Sequence, residues 1–296
     1  MKKRYRSKVI IGFSITLGVL MFLGGKILAF DCTQLYPKAI SLGGSLTAYN
    51  GNCMGEALAQ NPAALVKTQT GILFNYNNPF GFDGFTTNTI CLSGRVKGTG
   101  FATTFYKEEA TLPEENHGQI VNNSFAEKCF GIGFGTPITS NLNLGLALWQ
   151  TNRSLFTLED TEGLNGSHKD IYIDLGLIYD SDWWSWGAVI KSLSIVGSSF
   201  KKRSEYKLGF RFGKVDKLSL VLDLTMSENS LGEYFTSVQG GIEGWLQPNI
   251  VFRTGINEEG LLTYGCGLEK KHWLFNYAFQ THLLGSTHFL ETGYKF

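Results

Sequence analysis

Beyond Thr68 the chain alternates apolar with small or polar residues at a period of two, the signature of strands with two unlike faces. In LNLGLALWQ, Leu142, Leu144, Leu146 and Leu148 point one way, and Asn143, Gly145 and Ala147 the other. KLSLVLDLT sets Leu218, Leu220, Leu222 and Leu224 against Ser219, Val221 and Asp223. YKLGFRFG, IYIDLGLIY and WLFNYAF repeat the arrangement. Fourteen such segments run from TGILFNYN (residues 70–77) to THFLETGYKF (residues 287–296), with QIVNNSF and RSLFTLE as marginal additions.

A soluble sandwich also alternates, so the period alone does not decide. Segment length does: many approach the roughly 9–11 residues that cross a bilayer when tilted. One face is uniformly Leu, Ile, Phe and Tyr, while the other mixes Gly, Ser, Asn, Asp, Lys and Arg. The chain ends on an aromatic strand in which Leu290, Tyr294 and Phe296 share a face, resembling the signal by which barrel-assembly machinery recognises outer-membrane barrels. The fold expected is all-β: a transmembrane antiparallel β-barrel of about fourteen strands. KVD, DSDW and EKK read as tight turns; EEATLPEENHG and LEDTEGLNGSHK read as extracellular loops. Trp183, Trp184 and Trp186 beside a turn suit an interfacial aromatic girdle.

Composition agrees. Of 296 residues 17% are charged and 14% aromatic, with 36 Gly and 6 Pro; the charged share is low against a typical quarter. The net charge of +1 gives no electrostatic case for nucleic acid. MKKRYRSK, an apolar run and ILA read as a signal peptide over residues 1–29, with an uncleaved anchor as the alternative. The expected location is the bacterial outer membrane, in contact with its lipids. Five cysteines (Cys32, Cys53, Cys91, Cys129 and Cys266) without a Cys-x-x-Cys pair are neither a disulfide framework nor a zinc site, although Cys32 and Cys53 could bridge.

Residues 30–67 are different in kind and form the expected plug, leaving residues 68–296 for the barrel. MGEALAQ is a short helix former stopped by Asn61-Pro62. Asn61 is a favoured N-cap and Pro62 suits a first helical turn, so NPAAL starts another. Gly43 and Gly44 permit a tight turn or close wall contact. Inward Gly131, Gly133, Gly145, Gly209, Gly213, Gly265 and Gly267 leave room for such a plug.

The stretch ISLGGSLTAYNGNCMGEALAQNPAALV is similar to the opening of the PorV/PorQ-like and FadL-type (long-chain fatty-acid transporter) outer-membrane families. Gly43, Gly44, Asn61, Pro62, Ala63 and Leu65 carry that likeness, while Asn50, Asn52 and Glu56 stand where the pattern is usually acidic. YKLGFRF, GGIEGW, VFRTGIN and the closing GYKF also resemble the PorV-like half of the group. The resemblance implies fourteen strands around an inward-folded plug. Its FadL side implies passive transport of small hydrophobic molecules; its PorV side implies a type IX-like secretion component that binds exported protein cargo.

Little else points to chemistry. GIGFG (residues 131–135) lies within an alternating strand and reads as wall, not as a dinucleotide loop. GSHKD reads as a solvated loop, not a triad, and His117, His272, His282 and His288 lack metal spacing. No enzyme, cofactor or metal is expected. Inward charges on strands stand out: Asp174, Lys207, Arg211, Asp223, Glu243, Arg253, Glu269, Glu291 and Lys295. Enclosed in a barrel they must pair or meet water, as a conduit lining or as a salt-bridge network.

Overall fold

The structure is a computed structural model that describes residues 36–296 apart from 52, 82–83, 117–118, 157–165, 197–203, 229–232 and 283–284. The signal-peptide segment and Cys32 lie outside the described residues. The alternating segments are strands β1 (Gly71–Asn78), β2 (Phe85–Val96), β3 (Thr99–Asn116), β4 (Gln119–Pro137) and β5 (Leu142–Phe156). They continue as β6 (Gly166–Asp180), β7 (Trp184–Val196), β8 (Glu205–Gly213), β9 (Leu218–Glu228) and β10 (Tyr234–Gln247). The last four are β11 (Ile250–Ile256), β12 (Leu262–Lys270), β13 (Trp273–His282) and β14 (Gly285–Lys295). Each pairs antiparallel with its sequence neighbours, and β1 pairs with β14, closing a fourteen-stranded barrel. Closure leaves no free edge, which is what lets a sheet stand in lipid.

The two faces separate as the pattern requires. Along β9, Leu218, Leu220, Leu222, Leu224 and Met226 are exposed, while Ser219, Val221, Asp223, Thr225 and Ser227 are buried in the lumen. The outer surface is therefore a continuous apolar band, a waste of free energy in water and a match for hydrocarbon. No helix among the described residues is long and apolar enough to cross a membrane.

Turns such as Lys97-Gly98, both at positive φ, and residues 271–272 join the strands at the end where β1 begins and β14 finishes. Aromatic side chains collect there: Trp183 and Trp184 are exposed, Tyr179 stacks on Trp186, and Trp273 meets the edge of Tyr294 at 5.0 Å. Leu290, Tyr294 and Phe296 all sit on the outer face of the last strand.

One loop expectation fails. Residues 108–116 of EEATLPEENHG are strand, not loop: β3 runs on to Asn116 and β4 starts at Gln119, in register at Asn116↔Gln119, while residues 117–118 lie outside the described residues. The acidic composition hid a strand because backbone pairing, not the side chains, sustains a hairpin that has left the bilayer. The marginal segments QIVNNSF and RSLFTLE extend β4 and β5 rather than adding strands, although residues 157–159 lie outside the described residues. Of LEDTEGLNGSHK, residues 166–169 open β6, against the expected loop, and residues 158–165 lie outside the described residues.

Leu222 is at mid-strand on the outer face. Replacing it by Arg is expected to lower unfolding stability in lipid by about 2–4 kcal/mol, as for a cation near the bilayer midplane. Urea titration of the refolded protein in vesicles measures this, and a change within about 0.5 kcal/mol would contradict the lipid-facing assignment.

Candidate functional site: the plugged lumen

Inside the barrel the N-terminal segment folds as α1 (Pro37–Ser41), α2 (Glu56–Gln60) and a 3-10 helix, η1 (Pro62–Lys67). These are very short elements, and most backbone groups in such a segment must find partners outside it. Asn61 ends α2 and caps η1, its Oδ1 accepting from the Ala63 amide at 3.1 Å. Its Nδ2 donates to the Thr47 carbonyl (2.7 Å) and to Leu177 of β6 (3.2 Å), so one side chain joins two parts of the plug and the wall. Pro62, Ala63 and Leu65 are buried.

The plug follows the inner wall as a ring. Ser41 abuts β12, Leu42 and Gly43 abut β10 and β11, Thr47 and Ala48 abut β7 and β8, and η1 abuts β3, β4 and β5. Gly43 and Gly44 take positive φ (68° and 88°), and Gly43 lies directly on the Ile256 carbonyl. The wall answers with its own glycines. A Cβ on Gly241 would come within 2.7 Å of Leu42 Cα, and one on Gly145 would collide with Pro62 and Ala63. Gly133, Gly209 and Gly265 likewise face plug atoms. Three of the expected plug-room glycines serve otherwise: Gly131 lies under Trp149, Gly267 makes space for Asn276 and Arg253, and Gly213 closes a strand at φ 95°.

Lumenal side chains supply what the plug backbone lacks. Asp223 accepts from the Thr47 amide (3.0 Å), Ser185 donates to the Ala48 carbonyl (2.7 Å), and Lys191 donates to the Ala59 carbonyl (2.8 Å). Arg211 holds Ser185 in place (3.0 Å) and pairs with Asp180 (3.1 Å). Asp174 accepts from Trp149 Nε1 (2.8 Å) and from the Ser192 amide (2.7 Å), where β7 bulges and Ser192 takes φ 59°.

A second network runs from the plug across β10–β14. Lys38 of α1 pairs with Glu56 of α2 (3.2 Å) and lies over the Tyr49 ring. Tyr49 donates to Glu243 (2.9 Å), which pairs with Arg253 (2.8 Å). Arg253 donates to Asn276 (3.1 Å), and Asn276 to Glu291 (2.6 Å). Lys295 and Glu269 pair at 2.6 Å nearer the short-turn end, and Lys207 pairs with Glu205 at 3.5 Å. All nine inward charges thus lie on the lumen side, but in separate groups. The sequence reading missed Lys38, Tyr49 and Glu56 as members, since the plug gave no period to place them. It also missed Tyr106, Glu108, Glu127 and Arg153, which continue the inward rows of β3, β4 and β5. Extending the alternation past Tyr106 would have found Glu108.

Two cavities beside the plug, one lined by Lys38, Glu56, Arg253 and Lys295 and one by Tyr49, Ala57 and Gln60, hold about 10 Å³ each, the room of about one water. Cys53 is a buried free thiol.

No protein-family model matches the chain, and no curated protein sequence does. Solved structures do match. The Pseudomonas putida toluene transporter TodX superposes with a TM-score of 0.63 at 12% identity, over 87% of this chain and 97% of that one. The chain shares their barrel fold. The CymD monoaromatic hydrocarbon channel gives 0.62 at 13% identity over 90% and 99%, and a Pseudomonas aeruginosa FadL homologue 0.57 at 11% over 88% and 98%. The FadL side of the resemblance is thereby matched at the level of fold.

Burial alone would raise the Glu56 carboxyl, but the Lys38 ammonium and backbone amides hold it below its usual 4.5. A depressed carboxylate contributes stability above its unfolded value and loses it as pH falls below about 4.5. Lys38→Met, which strands Glu56, is expected to cost about 3–5 kcal/mol, and Lys38→Met/Glu56→Gln to recover most of it. Thermal melts across pH check both: the wild-type advantage over Glu56→Gln should vanish on acidification below that value.

Proposed function

We propose that this protein resides in the bacterial outer membrane and passes small hydrophobic molecules across it passively, without enzymatic chemistry. The observation that carries this reading is the overlap of nearly the whole chain with barrels named as toluene and monoaromatic hydrocarbon channels. An apolar band, an aromatic girdle and the outward Leu290, Tyr294 and Phe296 support insertion by the barrel-assembly machinery. The plug then sets the terms of passage. The two cavities beside it each have room for about one water, so a monoaromatic ring passes through either one only if the plug yields.

The plug motif (Gly43, Gly44, Asn61, Pro62, Ala63 and Leu65) and the inward charges act in this reading as the latch that sets how readily the plug yields. Weakening the latch at Asn61, whose amide spans plug and wall, loosens the gate without removing it.

Cells displaying the full-length protein, in a host lacking its own fatty-acid and hydrocarbon channels, are expected to take up labelled toluene or a long-chain fatty acid saturably. Asn61→Ala, which removes the cap on Ala63 and the links to Thr47 and Leu177, is expected to change the uptake rate several-fold. Uptake no faster than in cells without the protein, together with a stable protein partner captured by surface crosslinking, would replace this reading with cargo binding in secretion.

A further inference from the structure

The half of the lumen facing away from the short turns holds a polar row that neither the plug nor the transport reading uses. Asn77 of β1 pairs in register with Thr87 of β2, Thr87 with Glu108 of β3, Glu108 with Glu127 of β4, and Glu127 with Arg153 of β5. By the alternation of the strands all five point inward, each side chain about 4.5–5.5 Å at Cβ from the next. Asn77, Thr87 and Glu108 are each 1% exposed and Glu127 5%.

The donors in this row do not suffice. Glu108 and Glu127 stand directly opposite one another, an arrangement that like charges disfavour. Glu127 receives Arg153 Nε at 2.7 Å. The Tyr106 hydroxyl lies 2.8 Å from Glu108 and 3.0 Å from Glu127, yet a phenol has one proton to give. The hydrogen bond shown to Glu108 is thus a share of one neutral donor, with the Arg153 guanidinium, held by Glu127, attracting it from farther off, a small compensation for a buried carboxylate. On its other side Thr87 Oγ1, Thr89 Oγ1 and Asn77 Oδ1 are buried without hydrogen-bond partners. Thr87 is the register partner of Glu108, Thr89 that of Tyr106, and Asn77 stands beyond Thr87 on the next strand, so the three orphan oxygens share the inward face on the β1–β2 side of Glu108. Asn77 Oδ1 is a pure acceptor, and a cation is the species that carboxylate, carboxamide and hydroxyl oxygens bind together.

We propose that Glu108, Thr87 and Asn77, with Thr89 and Glu127 beside them, form a binding site for a hard cation of the calcium or sodium type. The donors here are carboxylate, carboxamide and hydroxyl oxygens, with no imidazole or thiol among them, the set a hard cation takes. The bound ion ties β1, β2, β3 and β4 together along one stretch of the wall, offsets the Glu108 charge, and fixes that end of the lumen independently of the plug.

Terbium(III), which takes calcium-like oxygen sites, tests this through emission sensitised by Tyr106. Full-length protein in detergent, stripped with chelator, should show terbium emission on aromatic excitation. Calcium should compete it away, or sodium should do so if the site is monovalent. Glu108→Gln should weaken binding at least ten-fold, Thr87→Val several-fold, and the outward Glu109→Gln not at all. Heat-modified mobility on gels confirms that each variant is folded, and Thr87→Val serves if Glu108→Gln does not fold. Emission that neither ion displaces, or that survives both lumenal substitutions, overturns the site. So does a Glu108→Gln protein more heat-stable than a wild type indifferent to either ion, since a proton on Glu108 then satisfies the row.

Discussion

Enclosing an irregular chain inside a barrel sets a single demand: its amides and carbonyls must find partners where bulk water is scarce. The three short helices of the plug satisfy only a fraction of theirs. The rest go to lumenal side chains, with Asp223 taking the Thr47 amide, Ser185 the Ala48 carbonyl and Lys191 the Ala59 carbonyl. Polar and charged residues on strands, which would be anomalous on a lipid-facing surface, are thus part of what allows a plug to exist. The wall glycines belong to the same solution. Backbone donors and acceptors reach across only if the two chains approach closely, and Gly145, Gly241 and Gly255 allow that approach.

The lumen divides along the barrel axis into two chemical regions. Around the plug several charges are paired, Lys38 with Glu56, Arg253 with Glu243, Arg211 with Asp180, and others meet neutral donors or acceptors, as Asp223 meets the Thr47 amide. Such pairs add little net stability over an apolar core but penalise any displaced arrangement, because separating them leaves a buried charge alone. They favour one seating of the plug. Farther along, the Glu108–Glu127 row is short of positive charge, and its chemistry is that of a site rather than a seal. The proposed passage and the proposed cation site lie at different levels of one tube.

Much of this was legible in the sequence, for a physical reason. A strand between lipid and lumen has two solvents, and each residue reports which one it faces. That is why all fourteen strand cores, the short turns and the inward position of Asp174, Lys207, Arg211, Asp223, Glu243, Arg253, Glu269, Glu291 and Lys295 follow from alternation. Where β3 and β4 leave the membrane the outer solvent becomes water, both faces turn polar, and the signal fades. The acidic stretch after Tyr106 accordingly reads as loop and hides the inward position of Glu108. Asn61-Pro62 was readable because capping is a local interaction.

The sequence by itself determined the barrel, since alternation, length and turn chemistry are properties of each hairpin alone. It also determined that residues before Thr68 were of another kind. Only the tertiary structure decided where that segment lies against the wall and which charge meets which. Those contacts join residues as distant as Tyr49 and Glu243, and no local pattern encodes a pairing made only when the barrel has closed around its own N-terminus.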